Sequence, residues 1–203
     1  MGSDGSTSIK TSQFANSADD IRNLIDQFKG LSVETYAESW TKHARSLHIA
    51  IENWGHDFSI GSIIRIANAF NVASVSIIGS RRWNKRGAMM TDVYLNLNVN
   101  HFEDIVAFEQ FVRQKGLQVL AIDCLPGVST PLEVAKLQEE CVMLFGSESS
   151  GVSSEAQNLA HASAGLILHI TQHGSTRSIN AEAAAAVTMY QWSREHQIWQ
   201  IRR

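Results

Sequence analysis

The sequence predicts an α/β fold in which helices cover both faces of a mostly parallel β-sheet. Short apolar runs typical of buried strands recur along the chain, and stretches of helical length separate most of them. Strands that alternate with helices form parallel sheets, because each helical crossover returns the chain to the same edge. With 203 residues, 44% of them hydrophobic, the chain is long enough to bury a large core. The predicted strands are 48–51, 73–78, 97–102, 117–122, 141–145 and 166–170, and the predicted helices between and after them are 60–70, 103–115, 153–160 and 178–195.

Two regions lie outside this alternation. Residues 1–17 are rich in Gly, Ser, Asp and Thr and predict a disordered tail. Residues 18–46 predict an N-terminal helical extension made of two helices, 18–30 and 33–46, and residues 47–203 form the main domain. Within that domain, the stretch 123–140 holds both prolines of the chain and is predicted as a long loop.

Composition and residue spacing indicate the cellular compartment and argue against a membrane segment and a metal site. The N-terminal stretch lacks the apolar run of a signal peptide, and no segment has the length of a membrane span. Cys124 and Cys141 are far from a CxxC spacing and sit in apolar runs, which predicts reduced thiols in a cytoplasmic protein. His169 and His173 lie on a strand and its exit, with no Cys or carboxylate at zinc spacing. We therefore expect no membrane segment and no metal.

The helix over 60–70 carries one residue that breaks its pattern. Ile60, Ile63, Ile64 and Ala67 keep an apolar stripe and Ile66 and Ala69 cover much of the rest, so Arg65 is the exception in an otherwise apolar helix. An unpaired buried charge is very costly, so this guanidinium must find an anion or point into a solvated site. Arg65 is therefore a candidate functional residue.

Two further segments combine polar residues with close backbone packing. A Gly/Ser loop, 146–151, follows the buried strand 141–145 and carries a single carboxylate, Glu148. The loop lacks both the Gly-Lys-Ser/Thr of a Walker motif and the Gly-x-Ser-x-Gly of a nucleophile elbow, so a plain strand-to-helix turn with a solvated Glu148 is the alternative. Ser178 and Asn180 open an alanine-rich helix.

A basic loop is the strongest charge cluster. Arg81, Arg82, Lys85 and Arg86 surround Trp83, although the net charge of the chain is -3. Cations bind phosphates and an aromatic ring stacks on bases, so the loop predicts an RNA-facing surface. A solvated surface is the alternative.

Together the three segments resemble the motifs of the SpoU (TrmH-like) branch of the SPOUT RNA methyltransferases. In the first motif, Asn-x-Gly-x-x-x-Arg-x-Ala-x-Ala-Phe, the matches are Gly61, Arg65, Ala67, Ala69 and Phe70, while Ser59 occupies the Asn position. In the second and third motifs the matches are Gly146, Glu148 and Gly151, then Ser178, Ile179 and Asn180. Thr171-Gln172 replaces the usual Pro-Met after Ile170, and order and spacing agree over about residues 47–192.

The resemblance implies a SPOUT fold with a C-terminal trefoil knot, a homodimer with the active site near its interface, and S-adenosylmethionine as cofactor. It implies that methyl transfer goes to a ribose 2′-hydroxyl of tRNA or rRNA. The cofactor-binding positions that it implies are Leu144, Gly146, Ile170, Ile179 and Asn180, and the catalytic positions are Ser59, Arg65, Glu148, Ser178 and Asn180.

The chemistry of these residues suggests roles. Guanidinium stays protonated in proteins, so Arg65 is better suited to grip a phosphate beside the target ribose than to act as a base. Glu148 would then orient Arg65 or the hydroxyl, and Asn180 with Ser178 would hold the substrate. A non-catalytic RNA-binding relative and a base methyltransferase are the competing functions.

Overall fold

The computed structural model describes residues 20, 26–32, 35, 38, 42, 44–53, 59–83, 88, 98–176 and 178–196. The chain divides into two units, Met1–His43 and Ala44–Arg203. In the first unit Asp26–Phe28 forms one turn of 3-10 helix, and the Asp20 carboxylate accepts a hydrogen bond from the Gly30 amide at 2.9 Å.

The predicted N-terminal helices differ from the described residues in two places. The α-helix predicted over 18–30 is wrong at 26–30, where the 3-10 turn is followed by a loop. The helix predicted over 33–46 is present at positions 35, 38 and 42, but 44–46 is not helical. The predicted tail, 1–17, lies outside the described residues.

The second unit is built on a seven-stranded sheet in which every neighbouring pair is parallel. The order is β3-β2-β1-β6-β4-β7-β5. Strands β1 and β6 lie in the middle and are buried along their whole length, as expected for strands covered on both faces. The strands are β1 Leu47–Asn53, β2 Ser74–Gly79, β3 Val99–Phe102, β4 Gln118–Ile122, β5 Thr130–Pro131, β6 Cys141–Phe145 and β7 Leu166–His169.

In the part of the chain that the structure describes, four α-helices cover the sheet, two on each face. They are α1 Ser59–Ala69, α2 Ile105–Lys115, α3 Ser154–Ala162 and α4 Ala181–Glu195. One core joins the apolar stripe of α1 to Met189 and Trp192 of α4, and the other joins Phe108 of α2 to Leu159 of α3. The predicted α/β class, with a parallel sheet between two helical layers, is confirmed.

Local chemistry explains where the helices begin and end. Asp104 caps α2, since its carboxylate accepts a hydrogen bond from the Ala107 amide at 2.8 Å. Gly116 ends the same helix in the left-handed region, at φ 66°. Asn71 follows α1 at φ 52°, which fits the tolerance of Asn for that region.

Several element boundaries differ from the sequence prediction by one or more residues, and three of the differences concern the sheet or the site. The stretch 123–140 is not all loop, because Thr130–Pro131 forms the edge strand β5 beside β7. Two residues are too short to show an alternating pattern, and proline is tolerated at an edge, where its missing N–H is not needed. Strand β1 continues past 51 to Asn53, and α4 begins at Ala181 rather than at 178, so the polar residues before it belong to a loop.

Within the described residues, no helix is long and apolar enough to cross a membrane.

Candidate functional site

The main cavity lies where strands β4, β6 and β7 end. These strands are neighbours in a parallel sheet, so the loops that follow them meet at one edge. The cavity has a volume of about 630 Å³, within the usual range for small-molecule sites. Its lining comes from the three loops and the start of α4, and consists of Ile122, Asp123, Cys124, Leu125, Phe145, Gly146, Ser147, Glu148, Ser149, Ser150, Gly151, His169, Ile170, Gln172, Ser178, Ile179, Asn180, Ala181 and Ala184.

The loop after β6 is closed tightly on itself. Ser147 and Gly151 exchange two backbone hydrogen bonds, of 3.1 and 2.9 Å. A Cβ on Gly146 would lie 2.0 Å from the Gly151 carbonyl carbon, so only glycine fits there. Gly151 itself has φ 70°, a conformation that favours glycine. The two glycines of the second motif therefore have a structural reason to be glycine.

Asp123, which the sequence analysis missed, fastens this loop to β4. One carboxylate oxygen accepts a hydrogen bond from the Val152 amide at 2.9 Å, and the other accepts one from Cys124 at 2.7 Å. A polar residue directly after a buried strand was the available signal, since β4 ends at Ile122. Asp123 joins two walls of the cavity.

A hydrogen bond connects the first and second motifs. The hydroxyl of Ser59, at the start of α1, donates to Glu148 Oε1 over 2.6 Å, although 89 positions separate the two residues. Ser59 is buried and Glu148 is exposed in the cavity wall. Serine at the usual Asn position therefore still reaches the carboxylate, which is held from α1 while facing solvent.

The third motif lines the same cavity from the opposite side. Ser178, Ile179 and Asn180 are exposed and precede α4, whose N-cap is Asn180. The Asn180 side chain makes no capping hydrogen bond, so capping does not explain the amide at this position. The structure brings the second and third motifs together around one space.

The segment after β7 completes the lining. Ile170 and Gln172 face the cavity, and Thr171 between them donates its amide and its hydroxyl to Glu133, at 3.4 and 3.0 Å. A hydrogen bond from its own backbone amide, together with those from Thr171, lowers the pKa of Glu133 below its ordinary value. Threonine at 171, where the family pattern has proline, thus lets the backbone amide of this segment donate a hydrogen bond to Glu133. Proline could not donate it, because proline has no N–H.

Three residues predicted for catalysis or cofactor binding are absent from the cavity lining: Ser59, which reaches it through Glu148, Arg65 and Leu144. Arg65 is exposed on α1, about 9 Å along the helix axis from Ser59, and is not among the described residues that line the cavity. Its exposure satisfies the requirement that the charge be solvated. Leu144 is fully buried inside β6, where it packs in the core shared with α2 and α3.

The basic loop begins beside the carboxyl end of β1. Arg81 and Arg82 are exposed, whereas Lys85 and Arg86 lie outside the described residues. The fully buried Asn53 donates its side-chain amide to the carbonyls of Ser80 at 2.6 Å and Arg82 at 2.9 Å. This side chain fixes the direction in which the loop leaves the sheet.

Among the residues that the structure describes, no group of three or more His, Cys, Asp or Glu side chains is placed to hold a metal ion.

Comparison with known proteins identifies relatives of this fold. The model of the SpoU rRNA methylase family matches residues 46–190. The TrmH/SpoU tRNA modifying enzyme of A. aeolicus has a TM-score of 0.67 at 17% identity, with 82% of this chain and 85% of that chain covered. A structure described as giving insight into 2-OH methylation of C/U34 on tRNA has a TM-score of 0.61 at 22% identity, covering 74% and 96%.

A further neighbour was solved with a cofactor. It is the SpoU methyltransferase AviRb from Streptomyces viridochromogenes in complex with AdoMet, with a TM-score of 0.61 at 19% identity. The match covers 75% of this chain and 59% of that chain, so this chain spans about three fifths of that neighbour. At these identities the neighbours establish the fold. A search of curated protein sequences found no match.

Proposed function

We propose, since the chain belongs to the SpoU rRNA methylase family, that it transfers a methyl group from S-adenosylmethionine to a ribose 2′-hydroxyl of tRNA or rRNA. The family match confirms the predicted family and the predicted enzyme class, an RNA methyltransferase. S-adenosylmethionine and ribose as the methylated group have further support from the names of the neighbours described above.

The observation that carries the proposal is the meeting of three distant motifs at one cavity. Ser59 from the first motif holds Glu148 from the second, and Asn180 from the third lines the same space. Independent structural demands account for the glycines of the second motif, whereas Glu148 is exposed in the cavity wall and Asn180 makes no capping hydrogen bond. A binding site explains both polar side chains.

The cavity fits a nucleoside cofactor. Its volume suits a ligand of that size, and it combines apolar lining from Ile170 and Ile179 with polar groups. His169 Nδ1 and Gln172 Oε1 are buried and have no hydrogen-bond partner among the described residues, which leaves atoms for a ligand to satisfy. Gly146, Ile170, Ile179 and Asn180 would hold the cofactor. Leu144 would act from the core, by supporting the strand that precedes Gly146.

S-adenosylmethionine, when bound, supplies an electrophilic methyl group on a sulfonium. The protein must then position a weak nucleophile, the ribose hydroxyl, and positioning alone can contribute a large part of the rate. Glu148, fixed by Ser59, orients the hydroxyl through a hydrogen bond. Ser178 and Asn180 hold the substrate from the α4 side of the cavity.

Arg65 acts on the RNA rather than on the cofactor. Its exposed position on α1, outside the cavity wall, suits a bidentate grip on the phosphate beside the target ribose. The same charge stabilises negative charge that develops on the ribose oxygen. This assignment keeps the guanidinium protonated throughout.

Labelled-methyl transfer to tRNA and rRNA from cells that lack the protein tests the function. We expect incorporation at a ribose oxygen, and about a 100-fold loss of turnover in Arg65→Lys, since lysine cannot form the bidentate pair. Arg113→Lys, at an exposed arginine of α2 paired with Glu109, is the matched control and should retain activity.

Three results would contradict the proposal. Cofactor binding without methyl transfer to any RNA would favour a non-catalytic RNA-binding protein. A methyl group found on a base by mass spectrometry of product nucleosides would favour a base methyltransferase. Equal turnover in Arg65→Lys and the wild type would remove the role of Arg65.

The basic loop, with Arg81, Arg82, Lys85 and Arg86, is the proposed RNA-docking surface. The exposed side chains of Arg81 and Arg82 support it. RNA affinity should fall with salt, and the log–log slope should shrink by about 0.7 for each phosphate contact removed, as in Arg82→Gln. An unchanged slope would exclude this surface.

The knot is proposed from the topology around β7. This strand lies between β4 and β5, although both precede it in the chain. Leu125, before β5, packs in the core on the α2 side, whereas Leu132 and Leu137, after β5, pack in the core on the α4 side. These positions support a path in which 123–137 turns around the sheet edge with β7 inside the turn. That arrangement is what a threaded C-terminal segment requires.

A homodimer is proposed from the exposed face of α4. Val187 and Tyr190 are 42% and 58% exposed and lie on one side of the helix, close in sequence to the cavity residue Ile179. A second copy that covered this stripe would bring its own site near the interface. Tyr190→Glu should then sediment as a monomer. A cytoplasmic location also belongs to the proposal, because tRNA and rRNA are the substrates.

A further inference from the structure

A fully buried carboxylate, Glu52, has no role in the function described so far. It lies near the carboxyl end of β1. Its two oxygens accept hydrogen bonds from the same residue, Ser153, at 2.8 Å from the backbone amide and at 2.6 Å from the hydroxyl. Burial of a charged group costs free energy that an apolar side chain at the same place would not. The carboxylate therefore calls for an explanation beyond packing.

The register of the sheet places Glu52 beside the loop that follows β6. Strand β6 lies between β1 and β4, and its last residue, Phe145, pairs with Ile51 on one side and with Ile122 on the other. Glu52 and Asp123 are the next residues of the two flanking strands. Two carboxylates thus stand on either side of the point where the loop leaves the sheet.

The two carboxylates bind consecutive residues at the far end of this loop. Asp123 accepts a hydrogen bond from the Val152 amide at 2.9 Å, and Glu52 accepts its two from Ser153. The loop itself is closed by the pair of backbone hydrogen bonds described above. A closed loop moves as one body, so the contacts at 152 and 153 fix the position of every residue in it.

The residue of the loop that matters for the chemistry is Glu148. Its carboxylate is also bound by Ser59, at the start of α1, over 2.6 Å. Glu52 and Ser59 are seven positions apart in the chain, so the segment that leaves β1 binds the loop both at Ser153 and at Glu148. Loss of either contact would leave Glu148 attached to this segment at one point instead of two.

We propose that Glu52 is a positioning residue for methyl transfer, which holds Ser153 and thereby fixes where Glu148 meets the ribose hydroxyl. The inference rests on the proposed function, because it assigns a residue to the same reaction. Glu52 is not among the described residues that line the cavity. Its effect is therefore on the placement of Glu148 and not on contact with the cofactor.

Two variants at Glu52 test this role. Glu52→Met keeps the approximate length of the side chain and removes both acceptors, whereas Glu52→Gln keeps one acceptor for the Ser153 amide. With an RNA that the wild type methylates, we expect about a tenfold loss of kcat per folded enzyme in Glu52→Met, and a smaller loss in Glu52→Gln. Affinity for S-adenosylhomocysteine, measured by calorimetry, should stay within about twofold of the wild type in both variants.

Hydrogen exchange gives a second measurement that does not depend on activity. The amides of Ser147 and Gly151 donate the two hydrogen bonds that close the loop. These amides should exchange faster in Glu52→Met than in the wild type, because the loop is then held at fewer points.

A matched control separates positioning from a general loss of stability. Ser74→Ala removes a buried hydrogen bond to His48 at the opposite end of β1, and should lower stability with wild-type kcat per folded enzyme. Thermal denaturation measures the folded fraction of each protein. If Glu52→Met does not fold, Ser153→Ala, which removes the hydroxyl donor alone, should show the same loss of kcat to a smaller degree, with S-adenosylhomocysteine affinity unchanged.

The outcomes distinguish this inference from the proposed function. Wild-type kcat or unchanged amide exchange in Glu52→Met would overturn the role of Glu52 and leave the proposed function standing. Parallel losses of kcat and of S-adenosylhomocysteine affinity would also overturn it, because they would indicate a general effect on the cavity. Absence of methyl transfer by the wild type to any RNA would count against the proposed function, and the role of Glu52 would fall with it.

Discussion

Polar residues have different roles at the two ends of the central strands. At the amino end, His48 of β1 is buried, shares a 2.7 Å hydrogen bond with Ser74 of β2 and packs edge-on against the Phe111 ring at 6.2 Å. At the carboxyl end, Glu148 and Asn180 are exposed around an open cavity. The polar groups of His48 and Ser74 at the amino end are used by the fold, whereas Glu148 and Asn180 at the carboxyl end are presented to a ligand.

The comparison explains why a buried histidine is a weak functional signal in this protein. The His48 imidazole can titrate, but neighbouring elements of the fold supply both the hydrogen-bond partner of its Nδ1 atom, Ser74, and the ring that it packs against, Phe111. The Glu148 side chain is an ordinary carboxylate, but the hydrogen bond from Ser59 holds it in a position where it faces solvent. Changes at Glu148 and Asn180 should therefore affect ligand binding, and changes at His48 should affect stability alone.

The largest effect is expected from Gly146→Ala. The new Cβ would meet the Gly151 backbone at 2.0 Å, so the loop after β6 would have to move as a whole. A displacement of about 1 Å in a positioned site can reduce activity about 100-fold. Calorimetry with S-adenosylhomocysteine should show binding lost or strongly weakened.

Gly174→Ala is the matched control for this change. A Cβ on Gly174, in the segment between β7 and α4, meets nothing within 4 Å, so binding should stay close to that of the wild type. Wild-type affinity in Gly146→Ala would mean that the loop after β6 does not shape the site.

A smaller effect is expected from Ser153→Ala, at the join between the cavity loop and α3. The Ser153 hydroxyl donates to the fully buried Glu52 at 2.6 Å and accepts a hydrogen bond from the Ala156 amide at 3.1 Å as the N-cap of α3. Loss of both contacts should lower the free energy of unfolding by about 1–3 kcal/mol. Denaturant titration measures this loss.

Ser154→Ala is the control that distinguishes loss of the N-cap of α3 from loss of any serine hydroxyl. The exposed Ser154 hydroxyl donates to Glu155, its neighbour in sequence, so the change should stay within about 0.5 kcal/mol. Equal destabilisation by the two variants would contradict the special role of Ser153.

The sequence predicted the fold more fully than the site, for physical reasons. Alternating apolar runs and helical stripes are local patterns, and among the described residues of the second unit they marked six of the seven strands and the four α-helices. Strand β5 was missed because its two residues gain their hydrogen bonds from a strand far along the chain.

The site was predicted where a motif marks it and missed where only three-dimensional contacts do. Glu148, Ser178 and Asn180 came from motifs, and the structure places them on one cavity. Asp123 belongs to no motif, and its importance rests on the Val152 amide that its carboxylate contacts. Glu52 is similar, since its burial depends on β1 extending beyond the apolar run that predicted it.

At the amino end, pH should change stability without changing cofactor affinity. Burial, followed by the nearby charge of Lys115, lowers the pKa of His48 below 6.5. The unfolded chain therefore binds this proton more readily than the folded protein, so stability is lost as the pH falls below about 6.5. A difference of one pH unit between the folded and unfolded pKa values corresponds to about 1.4 kcal/mol.

His48→Gln isolates this contribution, because glutamine does not titrate. The difference in unfolding free energy between the variant and the wild type should vary between pH 5 and 7 and become constant at higher pH. His101, whose pKa is also lowered, is present in both proteins and cancels in the comparison. A difference that stays constant across this range would show that His48 does not titrate on unfolding.

The smallest effect is expected at Glu133, which returns the comparison to the carboxyl end. Its carboxylate holds Thr171, and the pKa of Glu133 is lowered by its own backbone amide and by Thr171. The carboxylate form is therefore favoured by folding, and its contribution is present above about pH 4.5 and lost as the pH falls further. Because Glu133 is exposed, Glu133→Gln should lower the free energy of unfolding by less than about 1 kcal/mol, and the difference from the wild type should disappear in acid.

A difference that persists below the pKa of Glu133 in the folded protein would mean that the contact depends on the shape of the side chain rather than on its charge. The Glu133–Thr171 contact beside the cavity is weak and depends on charge, whereas His48 at the other end is buried with a lowered pKa. This difference is expected when one end of a sheet binds ligands and the other end packs in the core.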